Sequence, residues 1–349
     1  MPEILFPYTN VELTEEVNRL PNNFGLLNAL DIAPSEPIGS RYVRIDYRDG
    51  QLVVLAAEEP GAPGQMSEDD TEGGIILIVP HFPHLGTIKA ADLANGIQVV
   101  GGVMQARDLD SETAKKLKTI RGHHAVTLEY VRMGMLKGLI KDGKGKTLYD
   151  LYEVFGITKK TIDFKLGTAA TNMVEKCEEV ADHIIRNAKG ETVGQVEVIV
   201  DTTFFNRFTS HPNVEKFWLQ TQQAQTLQKF ERDRLGGNWG RVFEFGQLMF
   251  REYKATFPVR NSSGAITSEV AVAAGKGHAY PTGTQSMFAT YQGPAHHIDM
   301  VNVAPDAADP VFISVEVLKH GEGVEMKSQT NRLPVCKQPE CLVECYSSD

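Results

Sequence analysis

Apolar residues along this chain change their spacing several times, and each change marks a predicted element. Residues 1 to about 35 carry little periodic signal beyond a short helical stretch at "LTEEVNRL", with Pro21 and Pro34 as punctuation, which predicts an arm. Apolar and polar residues then alternate from Tyr42 to Tyr47, "RDG" signals a hairpin turn, and "QLVVLAA" supplies a return strand. A tip rich in Gly, Pro and acids follows, and "GGIILIVPHF" reads as a further strand. An isolated hairpin is at best marginally stable in water, so a long ribbon of this kind must lie against its own domain or a neighbouring subunit.

From Leu109 to Lys141 the spacing becomes helical. Leu117, Ile120, His124, Leu128, Val131, Met135 and Leu139 recur at steps of three and four, with Asp110 or Ser111 as N-cap. They form one apolar stripe along a helix of about 45 Å at about 1.5 Å per residue. Gly122, Gly134 and Gly138 in that stretch permit close packing against a flat sheet. Next, "GKGKTLYDLYEVFG" reads as a turn into a strand and "KKTIDFKLG" as its partner. Helix returns from Thr171 to about Ala188, where Met173, Cys177, Val180, Ala181 and Ile184 form a buried face. "VEVIVDTTFFNRF" predicts a strong strand, and β structure closes the chain in "RVFEFGQLMFREYKATF", "EVAVAAGKGHAYPTG" and "SMFATYQGPAHHID". Near the end, Cys341, Val343 and Cys345 fall on one face of a strand, with Leu342, Glu344 and Tyr346 on the other.

Composition narrows the function. At 349 residues and 42% hydrophobic content the chain can bury a core of two or three packed units. Its uninterrupted apolar runs, such as Ile75 to Val79, are far short of the roughly 20 residues that a membrane-spanning helix needs. The first residues offer no basic and apolar leader, which predicts a cytosolic product. The four cysteines are too few for a disulfide framework. Cys336, Cys341 and Cys345 are separated by four and three residues, a poor match to paired zinc ligands, so a buried strand face is the better reading.

The net charge of −10 argues against a protein whose main task is to hold nucleic acid. Its distribution says more. From Asp49 to Ile88 there is no Lys or Arg, while Asp49, Glu58, Glu59, Glu68, Asp69, Asp70 and Glu72 are acidic. From Arg107 to Lys146 the balance reverses, with ten basic residues that include Lys115, Lys116, Lys118, Arg121, Lys137 and Lys141. Such runs are either solvated faces or two surfaces that meet in an oligomer.

Signals for catalysis fail one by one. "KDGKGKT" ends like a phosphate loop, but Ile140 stands where the motif needs its first glycine, and a helix precedes the segment where a strand is required. His81 with His84, His123 with His124, and His296, His297 and Asp299 form no natural chelate by themselves. A metal-dependent hydrolase using His81, His84 or the His296 to Asp299 cluster is the alternative from another class. Neither a nucleophile elbow nor a metal-binding H-E-x-x-H helix is present, and no catalytic residue, cofactor site or metal site is assigned.

Several segments do carry a likeness. "GMLKGLIKDGKGKTLYDLYEVFG", "FEFGQLMFREYKATF", "AYPTGTQSMFATYQGPA" followed by "MVN", and "QTNRLPVCKQPECLV" occur in the order in which similar segments occur in the tailed-phage major capsid protein E family, the lambda-type coat proteins. The chain resembles that family from "NVELTEEVNRLPNNFGLLNALDI" to its tail, with Arg332 where such tails often carry a proline. The resemblance implies an α+β Hong Kong 97-type capsid fold. It implies an N-terminal arm at 1–35, an extended loop at 36–90, a peripheral domain at 91–170 with a spine helix at 109–141, and an axial domain at 171–305. Residues 306–349 would return to the peripheral domain and end in a closing strand from which Cys341 and Cys345 pack inward. The implied function is a virion shell protein that self-assembles into hexamers and pentamers around phage double-stranded DNA, without sequence-specific binding, membrane or cofactor. A portal and possibly a separate scaffold, maturation protease and decoration protein are the implied partners. A nanocompartment shell of the same fold is the near alternative. Some members of the wider fold crosslink their loops through a lysine; the loop stretch from Asp49 to Ile88 has none, which predicts non-covalent shells.

Overall fold

The computed structural model describes residues 8–19, 25–48, 72–94, 97–100, 103–106, 109–221, 240–260, 263–300, 303–306 and 310–349. In chain order the first part contains α1 (Asn10–Arg19), α2 (Leu26–Leu30), β1 (Ser35–Pro37), β2 (Tyr42–Arg48), β3 (Glu72–Ile78), β4 (Phe82–Lys89), α3 (Ala90–Ala94), β5 (Ile97–Val100), β6 (Val103–Ala106) and α4 (Leu109–Lys137). The middle contains β7 (Leu139–Lys141), β8 (Thr147–Asp150), α5 (Leu151–Val154), β9 (Lys160–Asp163), α6 (Met173–Asn187), β10 (Gln195–Val200), α7 (Thr202–Thr209) and α8 (Pro212–Thr221). Then follow β11 (Val242–Phe245), β12 (Leu248–Glu252), β13 (Thr256–Arg260), β14 (Ile266–Val270), β15 (Lys276–Thr282), β16 (Phe288–Gln292), β17 (Phe312–Val317), β18 (Gly323–Thr330), β19 (Arg332–Cys336) and β20 (Val343–Tyr346).

The largest sheet has the order β11-β12-β10-β15-β20-β9, and two three-stranded sheets have the orders β1-β16-β19 and β17-β18-β4. One core joins the six-stranded sheet, α6, α7 and the C-terminal half of α4. Phe204, Phe208 and Phe250 lie at its centre, with the Phe208 and Phe250 ring centroids 4.3 Å apart. A smaller core joins Leu13 and Val17 of α1 to Leu117 and Ile120 of α4 and to Ile313 and Met326 of β17 and β18. The start of α1 is fixed by a reciprocal capping pair: the Thr9 amide donates to the Glu12 carboxylate at 2.8 Å and the Glu12 amide to Thr9 Oγ1 at 3.3 Å.

The spine helix ends at Lys137, four residues before the periodicity does. Gly138 takes a φ of 74°, and a Cβ there would lie 2.2 Å from the Tyr152 ring, so only glycine lets the chain turn back into β7. β7 and β8 form a hairpin, and the G-K-T residues form its turn and the start of β8. β8 is therefore not the partner of "KKTIDFKLG"; β9 runs parallel to β20 instead. "VEVIVDTTFFNRF" is also divided. β10 stops at Val200, and the Asp201 carboxylate caps α7 by accepting from the Thr203 amide at 2.8 Å.

The described partner of β2 is β3, with Tyr42 opposite Ile78; the expected turn at "RDG" and the return strand "QLVVLAA" lie outside the described residues. The tail divides among three sheets. β17 and β18 join β4 beside α1 and α4, β19 pairs with β16, and β20 inserts between β15 and β9 of the six-stranded sheet. The last strand thus closes the sheet built mainly by residues 160–282. Cys177, Cys336, Cys341 and Cys345 are all free and buried. Cys341 lies in a 3-10 turn at Pro339–Cys341, just before the strand.

Candidate assembly surfaces

The root of the β2–β3 ribbon has two unlike faces. Val43, Ile45 and Leu77 point into the large core, as does Val79 just beyond the ribbon, so this part rests on its own subunit. On the opposite face Tyr42 and Ile76 are 65% and 66% exposed, and Ile78 and Arg44 are exposed beside them. Two exposed isoleucines and a tyrosine on one short ribbon make a contiguous apolar strip, which is the informative kind of surface hydrophobicity. Tyr149 holds the strip's end, donating its hydroxyl to the Ile78 carbonyl at 2.9 Å and accepting from the Ile78 amide at 2.7 Å.

The basic residues of the spine separate into two groups. Lys115 and Lys118 are exposed near the N-terminal end of α4, where Lys115 pairs loosely with Glu112 at 3.7 Å. Lys116 is half-buried, and Arg121 donates to the Asn18 side chain of α1 at 3.2 Å. Lys137 and Lys141 lie at the other end, lining a cavity among β7, β15 and β20. The helix keeps the two groups about 30 Å apart at about 1.5 Å per residue. Of the acidic positions, Asp49, Glu58, Glu59, Glu68, Asp69 and Asp70 lie outside the described residues; Glu72 opens β3, opposite Arg48.

The histidines serve the joints between elements. His81 shares a 2.8 Å hydrogen bond with Asn331, and its ring meets that of His296 edge-on at 4.9 Å. His84 stacks on His123 at 4.7 Å and lies edge-on to His124 at 6.4 Å. Ser328 Oγ donates to the His84 carbonyl, so it can only accept from His124, whose Nε2–H donates at 3.0 Å. Burial, then His84, His123, Arg121 and Arg332, pushes the His124 pKa down to about 3. His297 and Asp299 approach to 3.3 Å at the surface. Among the described residues no group of three or more His, Cys, Asp or Glu is placed to hold a metal ion.

Residues 9–346 match the sequence profile of the family described as Phage major capsid protein E. The chain belongs to that family. Among its relatives are the major capsid protein of Pseudomonas phage KPP10, 30% identical over 347 residues and covering 97% of this chain and 96% of the relative. That of Salmonella phage Felix O1 is 27% identical over 356 residues, covering 95% and 94%. Among solved structures, a protein assigned as a prophage capsid protein of E. coli CFT073 superposes with a TM-score of 0.62 at 12% identity, covering 98% of this chain and 99% of that one. A phage-related protein of Bordetella bronchiseptica RB50 gives 0.51 at 8% identity, covering 96% of each. The fold is the Hong Kong 97-type capsid fold, with α4 in the place of the spine helix.

Within this phage capsid fold, α4 does more than present a surface. The Glu129 carboxylate, 1% exposed, accepts from the Leu27 amide at 2.9 Å, the Asn28 amide at 2.8 Å and the Tyr253 hydroxyl at 2.6 Å. One turn on, Arg132 donates to the Ala33 carbonyl at 2.8 Å, the Asp31 carboxylate at 3.1 Å and the Leu27 carbonyl at 3.3 Å. An acid thus meets the amide end of α2 and a cation its carbonyl end, as the peptide dipoles favour. The clasp joins residues 25–33 to the spine. Its signal in the sequence was a polar pair, Glu129 and Arg132, one position after Leu128 and Val131 of the apolar stripe. Buried ion pairs elsewhere were not foreseen: Arg251 grips Glu197 at 3.0 and 3.1 Å, with the Tyr280 hydroxyl donating to Glu197 at 2.8 Å.

Proposed function

We propose that this shell-forming phage capsid protein builds hexamers and pentamers of an icosahedral head around double-stranded DNA, held by non-covalent contacts through its ribbon and spine. The observation that carries the reading is the apolar outer face of the ribbon root, Tyr42, Ile76 and Ile78, left open to solvent on a subunit that belongs to the phage major capsid protein E family. Covering a side chain of that size stabilises a contact by about 1.5–3 kcal/mol, and a closed shell repeats the contact in every subunit. Rings form through heterologous contacts, so the ribbon of one copy meets a different surface of the next.

On this reading residues 1–35 form the arm, 36–90 the extended loop, 91–170 the peripheral domain and 171–305 the axial domain. The acidic run Glu68, Asp69 and Asp70, with Asp49, Glu58, Glu59 and Glu72, faces the exposed Lys115 and Lys118 and the half-buried Lys116 of a neighbour. Exposed pairs contribute only about 0–1 kcal/mol each, so they set register more than strength. The role is structural, in the virion, with assembly in the host cytoplasm and a portal, scaffold, protease or decoration protein as separate chains. Negative-stain microscopy of the expressed chain tests the reading: uniform shells or capsomers support it, and small particles at high concentration overturn it. Charge reversal at Glu68, Asp69 and Asp70 is expected to disturb particle size, and an unchanged outcome removes the acidic run from the interface. Denaturing gels of mature particles should return monomer.

A further inference from the structure

Beneath the C-terminal end of α4 a cavity of about 200 Å³ opens between β7, β15, β20 and the β13–β14 hairpin. Four lysines line it, Lys137, Lys141, Lys159 and Lys276, against two carboxylates, Glu269 and Glu344, which leaves two positive charges over. The distribution is uneven. Glu344 is shared by Lys159 and by Lys276, the latter at 2.6 Å, and Glu269 takes the Tyr130 hydroxyl at 3.0 Å. Among the described residues Lys137 and Lys141 have no carboxylate within ion-pair distance. Lys137 is also withdrawn from water: burial, outweighing the opposing pull of Glu269, holds its pKa below the ordinary lysine range. The carbonyl end of α4 offers it only a fraction of a charge.

His278 forms part of the wall. It is 5% exposed, and among the described residues its ring makes no hydrogen bond. Burial, with Lys137, Lys159 and Lys276 outweighing Glu344, keeps it neutral with a pKa near 3, so it offers one N–H donor to the cavity. Its ring nitrogens are not among the sealed, unpartnered polar atoms, so water or a ligand in the cavity can meet that donor. The volume is below the roughly 300 Å³ of drug-sized pockets yet several times a water's share. A small, doubly charged, multiply accepting group fits both the size and the residual charge, and lysine is an effective point-charge partner for such a group.

We propose that this cavity binds a phosphate-class oxyanion, with Lys137 and Lys141 as its cationic ligands and the His278 ring as a neutral donor behind it. The phosphate comes from a free ion or from the backbone of enclosed nucleic acid. Calorimetric titration of the purified full-length chain with inorganic phosphate and with pyrophosphate, at ionic strength matched with chloride, tests the site. Saturable binding is expected, weakened about tenfold or more in Lys141→Gln and tightened in Glu269→Gln. Urea unfolding of both variants checks that they fold. Absence of saturable binding, or equal affinity in the native chain and Lys141→Gln, overturns the proposal. A short DNA duplex then separates the sources: displacement of bound phosphate assigns the site to backbone, and undisturbed phosphate binding assigns it to the free ion.

Discussion

Acid should loosen the joint between the spine and the β17-β18-β4 sheet through one histidine. His124 lies 6% exposed against Ser328, and His84, His123, Arg121 and Arg332 around it are all basic. Its pKa is about 3 in the folded subunit, against about 6.5 in the unfolded chain. Because the folded value is the lower one, the unfolded chain binds the proton first, and stability falls as pH drops through the window from about 6.5 to about 3. At pH 5 the unfolded histidine is almost fully charged and the folded one neutral, which costs about 2 kcal/mol relative to neutral pH. Urea unfolding of unassembled subunit at a series of pH values, with His124→Gln beside it, isolates this contribution because His278 titrates in both. The variant should be less stable at pH 7 yet lose about 2 kcal/mol less on going to pH 5. Identical losses in the two proteins would show that His124 is protonated without penalty and that its burial has been misjudged.

Other consequences are as direct. Glu129→Gln replaces an acceptor by an amide at the start of α2 and removes a buried counter-charge from Arg132; it should cost about 3 kcal/mol in urea unfolding and speed proteolysis within residues 25–33, whereas a loss under about 1 kcal/mol would contradict the clasp. Ile76→Asp on the outer ribbon face should leave subunit stability within about 0.5 kcal/mol and abolish particles seen by sedimentation; normal particles would exclude that face from the interface. None of the four cysteines should react with a thiol reagent before unfolding, since burial pushes the Cys341 thiol up to about 12 and holds Cys177, Cys336 and Cys345 above their ordinary range; rapid labelling of native subunit would refute their burial.

The spine helix was legible because its stripe is long and regular, and a period of three and four over many residues has no other reading. Its end was not, because Leu139 continues the stripe while the stop depends on Gly138 meeting Tyr152, a contact across a hairpin. β9 was paired with the wrong strand for a similar reason. Nearness in sequence favours a hairpin, and nothing local announces a parallel partner at 343–346. Asp201 did announce the start of α7, but the strand-favouring run "TTFF" hid the cap. The alternation around Cys345 was sound in placing it inward. It said nothing of how deep the other face lies: β20 is an interior strand covered on both sides, so Leu342 and Glu344 are buried too and Glu344 needs Lys159 and Lys276. Of the candidate surfaces, the lysines at 115–118 were where an amphipathic helix would put them. The cavity around Lys137 and Lys141 depends on five separate strands and could not be read from spacing.

The order in which the strands are made has a bearing on when a subunit is ready. β18, β19 and β20 each pair only with strands that precede them in the chain, and β18 and β20 occupy interior positions in their sheets. While the ribosome is still working on residues before 323, β4, β9 and β15 wait with open edges and the two halves of the molecule are not yet stitched. A partly synthesised polypeptide therefore cannot offer neighbours a finished building block, and one broken off early is a poor candidate for incorporation.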